Sequence, residues 1–389
     1  MRASRREFLA ITAAGLISAG RPAASQARAD GGGNVPGAPL WRQFKGDPQR
    51  TGRSNLSGPL NPRLAWHTRG APPLQSPMSV GSDGAIYMAG DSGVLFAYDS
   101  SGQLKWARVV ANRYVTAGTA ILHDGSILVV PENGLALCFS PTGTFRWAFN
   151  LRDYSGPDSA PSIAGNRVIH TGNLTGLYAV NPNGTRRWVF RQRVSGPPAE
   201  GPDGTIYFPS DSRLIAVSAG GTLQWSHQSG FSYGLGSAPA VAEDGTIYVT
   251  GIQGQLLAVN PNGTRKWIAG VQGTVSDVPS SPALGHDGTI YFSSSYTYVN
   301  AAYPDGTLKW SHLTIQDDSF SAPTVCGDGT IYIGAATGKV HAFTPEGDQI
   351  WEGFFDNNDP FYYVRSEPVI LPAGSLLVGA FDGVFVVAD

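Results

Sequence analysis

The 389-residue chain has little cysteine: Cys138 and Cys326 stand alone, in no C-x-x-C or C-x-x-C-H arrangement. That excludes a thiolate metal site, a dithiol redox motif and covalently attached haem. The seven histidines form no H-x-x-x-H or H-E-x-x-H pattern, so a zinc centre has no ligand set. Charge is scarce too, at 14% of residues against roughly 25% in an average domain. The net charge is −2 and no basic run interrupts the chain, which argues against nucleic acid or an anionic membrane as partner. No segment carries helical periodicity. P-loop, nucleotide-fold and G-x-S-x-G chemistries therefore lack the strand-to-helix setting they need. The apolar run Phe8–Gly20 has 13 residues, short of the ~20 that cross a bilayer as a helix.

What the chain has is turn formers, 50 Gly and 28 Pro. Many short strands joined by tight turns fit that composition. The N-terminus reads as an address. Ser4-Arg5-Arg6-Glu7-Phe8-Leu9 resembles the twin-arginine export signal of bacteria, and Ala27-Arg28-Ala29 a small-x-small cleavage site. Residues 1–29 are read as a signal peptide with five Arg and one Glu, leaving 22 basic against 28 acidic residues, a net of −6. The expected location is periplasmic or secreted, in a bacterium. No cysteine near the cut offers a lipid anchor.

Tryptophan marks a repeat. Trp66, Trp106, Trp147, Trp188, Trp225, Trp267, Trp310 and Trp351 are spaced by 40, 41, 41, 37, 42, 43 and 41 residues. Seven of them end the same string, a small residue, four positions, Gly, three positions, Trp: Ala97-Gly102-Trp106, Cys138-Gly143-Trp147, and so on to Ala342-Gly347-Trp351. A period near 40 means an array or a propeller. One unit reads as four strands: Ser237–Val241, Thr246–Thr250, Gln255–Val259 and Thr264–Ile268. A lone four-stranded sheet cannot bury both faces, and radial stacking solves this. Eight sets of first to third strands begin near Pro77, Gly118, Ala160, Pro197, Ala238, Pro282, Ala322 and Glu367. The last set lacks a fourth strand, whereas Arg63–His67 is a fourth strand without a blade. The expectation is an all-β, eight-bladed β-propeller of four-stranded antiparallel blades over 63–389, closed by that N-terminal strand. Residues 30–62 form a lead-in. Closure also removes exposed sheet edges.

Ala97-Tyr98-Asp99-Ser100-Ser101-Gly102-Gln103-Leu104-Lys105-Trp106 resembles the tryptophan-docking repeat of pyrroloquinoline-quinone (PQQ)-like β-propellers, one residue shorter. Trp41-Arg42-Gln43-Phe44-x3-Pro48-Gln49-x-Thr51-Gly52 resembles the lead-in before such propellers. The resemblance implies a structural role for all eight Trp, each docking between neighbouring blades. Burying a whole indole is worth at most about 4–6 kcal/mol. In length and blade number the chain is also similar to the propeller lipoprotein of the outer-membrane β-barrel assembly machinery, which implies a scaffold that grips a protein. The twin-arginine signal and the missing anchor cysteine depart from that relative. The PQQ-dependent dehydrogenases of the family imply PQQ, Ca²⁺, adjacent cysteines and a catalytic Asp. They are longer, and the cysteine pair is missing here, so the reading assigns no cofactor and no metal. The acidic run Asp356-Asn357-Asn358-Asp359 lacks EF-hand spacing.

The two ends of the propeller read differently. Turns such as Asp83-Gly84, Asp203-Gly204, Asp244-Gly245, Asn183-Gly184 and Asn262-Gly263 are built for geometry. The links between blades are longer and irregular, and share the opposite face with the second-to-third-strand links. That face is expected to bind. Its candidates are Arg113, Tyr114, Asp153, Tyr154, Arg191, Arg193, Tyr233, Asp277, Asp317, Asp318, Phe361, Tyr362, Tyr363 and Arg365. The reading favours a monomeric, non-catalytic module that binds a protein or a glycan. An alternative is polysaccharide cleavage by Asp153, Asp158, Asp317 or Asp318.

Overall fold

The computed structural model describes residues 40–68, 76–112, 114–151, 159–252, 254–270, 280–294, 298–314, 321–354, 364, 366–380 and 383–389. They form eight four-stranded antiparallel sheets, seven of them meandering outward in chain order. The innermost strands are Ser79–Val80, Thr119–Ile121, Ser162–Ile163, Ala199–Glu200, Ala240–Val241, Ala283–Leu284, Thr324–Val325 and Val369–Leu371, defining blades 1 to 8. In blade 8 the outermost strand is Arg63–His67, paired antiparallel with Gly383–Ala388. The ring is thus closed by both ends of the chain, as the unpaired Trp66 segment implies. Among the described residues there is no α-helix, only a 3₁₀ turn at Pro372–Gly374.

Innermost strands are shorter than their sequence suggests. Ala240–Val241 pairs over two residues where the sequence reading places a five-residue strand, Ser237–Val241. The blades converge at the axis there, Pro239 has no N–H to give, and the N–H of Val241 bonds the lead-in instead. Second and third strands are buried except at an occasional end residue such as Arg213, and fourth strands are largely exposed. One apolar cluster fills each interface between neighbouring blades, from the blade 8–1 cluster around Met78, Phe96 and Leu377 to the blade 7–8 cluster around Val340, Ile370 and Val378.

The repeat string has a physical cause at each position. The small residue lies directly opposite the Trp across the ladder, as Ala216↔Trp225 and Cys138↔Trp147. Both cysteines are buried free thiols. The Gly, at positive φ, seats the Trp of the preceding blade: a Cβ on Gly221 would come 2.6 Å from the Trp188 ring. The indole then donates to a carbonyl in that same turn, as Trp188 Nε1 to Ala219 O at 2.9 Å and Trp225 Nε1 to Pro261 O at 2.8 Å. At the seam, where blade 8 has no such turn, Trp351 donates to Pro59 O at 3.1 Å. All eight indoles are half-buried, so the whole-ring burial of the upper bound is not reached. Every fourth strand carries a bulge just before its Trp.

Candidate functional site

Hydrogen bonds confirm that inter-blade links and second-to-third-strand links share one face. The N–H of Val110 and of Ala111 both donate to Gly93 O, Ser195 to Pro209 O, and Leu235 to Asp211 O. Of the candidate residues on this face, Tyr114, Arg191, Arg193 and Tyr233 are among those described. Arg113, Asp153, Tyr154, Asp277, Asp317, Asp318, Phe361, Tyr362, Tyr363 and Arg365 lie outside the described residues, as does Asp158. Tyr114 and Tyr233 are 54% and 60% exposed, large apolar rings left in water. They stand three blades apart and do not share a patch.

Arg193 and the backbone next to Tyr233 both approach Asp211. Arg193 Nε lies 3.4 Å from Asp211 Oδ1. Gly234, next to Tyr233, packs so closely on the Asp211 backbone that a Cβ would come 2.8 Å from its carbonyl oxygen. Asp211 sits in the two-residue link of blade 4 at φ +53°, a left-handed backbone that Asp tolerates better than most residues other than Gly. Sequence reading passed it over because Asp-Ser looks like any turn. Arg191 is exposed beside this patch.

The opposite end is built from repeated geometry. Asp83, Asp124, Asn166, Asp203, Asp244, Asp287 and Asp328 each accept the N–H two residues on through Oδ1. In four blades the bulge residue before the Trp is a cation that pairs with this Asp: Lys105–Asp83, Arg146–Asp124, Lys266–Asp244 and Lys309–Asp287.

The lead-in closes the axis at that same end. The last residue of the inner strand in blades 2, 4, 5, 6 and 7 donates its N–H to it: Ile121 to Arg42 O, Glu200 to Pro48 O, Val241 to Gln49 O, Leu284 to Thr51 O and Val325 to Gly52 O. Ile163 N of blade 3 donates to Gln43 Oε1 at 2.5 Å. Trp41 exchanges both backbone bonds with Val80 of blade 1. In blade 8 the bond is a side chain's. Glu367 Oε1 accepts from Trp41 Nε1 at 3.0 Å and from Lys45 N at 2.8 Å. Lys45 and Arg50, at φ +61° and +60°, are fully buried in the channel. Lys45 Nζ donates to Pro323 O at 2.7 Å. The Arg50 guanidinium donates to Pro198, Ala160, Pro161 and Phe44 carbonyls. Burial raises the Glu367 carboxyl and lowers the Lys45 ammonium, and the attraction between the two opposes both shifts. Burial lowers Arg50 to about 10.

Sequence reading missed Glu367 as a contact, though a signal was there. The equivalent positions are Pro77, Gly118, Ala160, Pro197, Ala238, Ser281 and Ala322, all small or apolar. Cys138 and Cys326 lie in blades 2 and 7, and no three His, Cys, Asp or Glu side chains converge as a metal site among the described residues.

The sequence profile of the outer membrane protein assembly factor BamB family matches residues 34–188 and 210–389. The chain belongs to that family. As a BamB-family propeller it is similar to the crystal structure of BamB from Moraxella catarrhalis, with 18% identity over 84% of this chain and 99% of that one, at a TM-score of 0.69. The quinohemoprotein alcohol dehydrogenase of Comamonas testosteroni superposes at the same TM-score, with 13% identity over 89% of this chain and 80% of that one. The computationally designed protein Ika8 also reaches 0.69, with 14% identity over 82% of this chain and 98% of that one. An assembly factor, an oxidoreductase and a designed protein fit equally well, so this likeness carries the fold and leaves function to the site. No curated protein sequence matches the chain significantly.

Proposed function

We propose that this BamB-family propeller is an exported, non-catalytic scaffold that binds a protein partner through its loop face. One observation carries the reading. The molecule is closed at one end by Asx turns and the lead-in, and leaves Tyr114, Tyr233 and the Arg193–Asp211 pair exposed at the other. Exposed aromatics beside Arg, held on rigid blades, are what protein interfaces use as anchors. The family supports a protein partner over a glycan, and the twin-arginine-like N-terminus supports action outside the cytoplasm.

The test is site-specific photo-crosslinking in the native envelope. A photoreactive phenylalanine analogue replaces Tyr114, Tyr233 or, on the closed end, Glu243. The expected result is a discrete protein adduct from Tyr114 or Tyr233 and none from Glu243. Adducts from Glu243 alone would move the interface to the other end. Retention on immobilised polysaccharide, lost in Tyr233→Ala, without any protein adduct would replace the protein by a glycan.

A further inference from the structure

The lead-in touches the ring differently from the way blades touch each other. Blades meet each other through apolar interfaces and docked Trp rings. Residues 41–54 meet them mostly through single hydrogen bonds at one equivalent position, the last residue of each inner strand in blades 1 to 7. That is how a bound peptide covers a row of unpaired edge donors. In blade 8 the contact is the Glu367 side chain, which uses one oxygen for two donors while the buried Oε2 has no protein partner. Gln43 Nε2 is likewise buried without one. The apolar contribution centres on Trp41, packed into the blade 8–1 cluster. The ring needs no help from this segment to stay shut, because Arg63–His67 pairs with Gly383–Ala388 on the outside.

We infer that the axial channel is a binding site for a cationic, Trp-led peptide, occupied in cis by residues 41–54 and fastened by Glu367, so that this segment lifts out as one unit from a ring that stays closed. Glu367 takes an indole N–H and a backbone N–H. Carbonyls just before the inner strands of blades 3, 4 and 7 take a guanidinium and an ammonium. Inner-strand N–H groups take peptide carbonyls.

Native-state hydrogen exchange on the full-length chain tests this. In Glu367→Ala, the amides of Ile121, Ile163, Glu200, Val241, Leu284 and Val325 should lose protection together by about tenfold or more, with second- and third-strand ladder amides unchanged. A synthetic peptide of residues 40–56, added to that variant, should bind one to one and restore the protection. It should not bind the wild type. Loss confined to the Trp41 and Lys45 amides, or no loss at all, would overturn the single unit fastened by Glu367. Parallel loss in the ladders would overturn its separability from the ring. An open segment with no peptide binding would overturn the peptide site. If Glu367→Ala does not fold, wild type in low denaturant decides: the six amides must exchange through one shared opening before the ladders do, and exchange only on global unfolding refutes the inference.

Discussion

At the scale of single residues, the turn glycines carry two burdens that can be separated. Gly221 (φ +83°) lies under the Trp188 ring, whereas Gly230 (φ +79°) has no atom within 4 Å of where a Cβ would stand. Gly230→Ala should cost only the left-handed strain, about 1 kcal/mol. Gly221→Ala adds overpacking and should cost roughly 2–4 kcal/mol. Equal losses in denaturant titrations would show that Trp188 does not press on this turn. His170 offers a second test. It takes the place that Tyr87, Tyr207, Tyr248, Tyr291 and Tyr332 hold in other blades, stacked on its own Trp, with ring centroids 5.5 Å apart. Burial, aided by Arg187, lowers its pKa to about 3. The folded state thus holds it neutral. Its contribution is complete above the unfolded value near 6.5 and is lost as pH falls from there toward 3. At pH 5 the cost is about 2 kcal/mol. His170→Phe should therefore gain about that much stability at pH 5 relative to pH 7.5. A variant whose acid sensitivity matches wild type would mean His170 is protonated when folded.

At the scale of the element, the unit of stability is the joint between two blades. Trp188 stacks on His170 of its own blade, covers Gly221 of the next and donates to Ala219 O. Because the indole is half-buried, Trp188→Ala should cost about 3 kcal/mol, the low end for a large aromatic. A melting temperature within a degree of wild type would remove the joint from the account. The ion pairs on the bulges matter far less. Lys105 and Asp83 are 3.5 Å apart with both side chains well exposed, and Lys105→Ala should move stability by no more than about 0.5 kcal/mol. Both elements were legible in the sequence: the Trp as the period marker, the basic residue as its neighbour. What was not legible is that the Gly of one repeat serves the Trp of the one before, since spacing shows a period and not a partner.

At the scale of the whole molecule, closure is the decisive feature. Gly383–Ala388 is sandwiched between Arg63–His67 and Ser375–Ala380. Removing residues 383–389 would leave the N-terminal strand without a neighbour and two apolar faces in water. The cooperative thermal transition should be lost. A sharp melt within a few degrees of the full chain would mean that the ring does not depend on its seam. The loop face draws on the same rigidity, for Tyr114 and Tyr233 are presented by blades that cannot shift singly.

The sequence by itself determined the eight blades, their four-strand make-up, the closing strand and the distinction between the two ends. All of these follow from local pattern: alternation, turn chemistry and a period of about 40 residues. Tertiary structure alone decided where the lead-in goes and what Glu367 is for. Residues 41–54 carry no strand pattern of their own, because their partners are seven inner strands and Glu367, spread over some 290 residues of chain. Nor could sequence say that Arg193 and Gly234, 41 positions apart, both pack on Asp211. Local pattern reports what a segment does to its neighbours in the chain. Sites built by closing a ring join residues that only the closed ring makes neighbours.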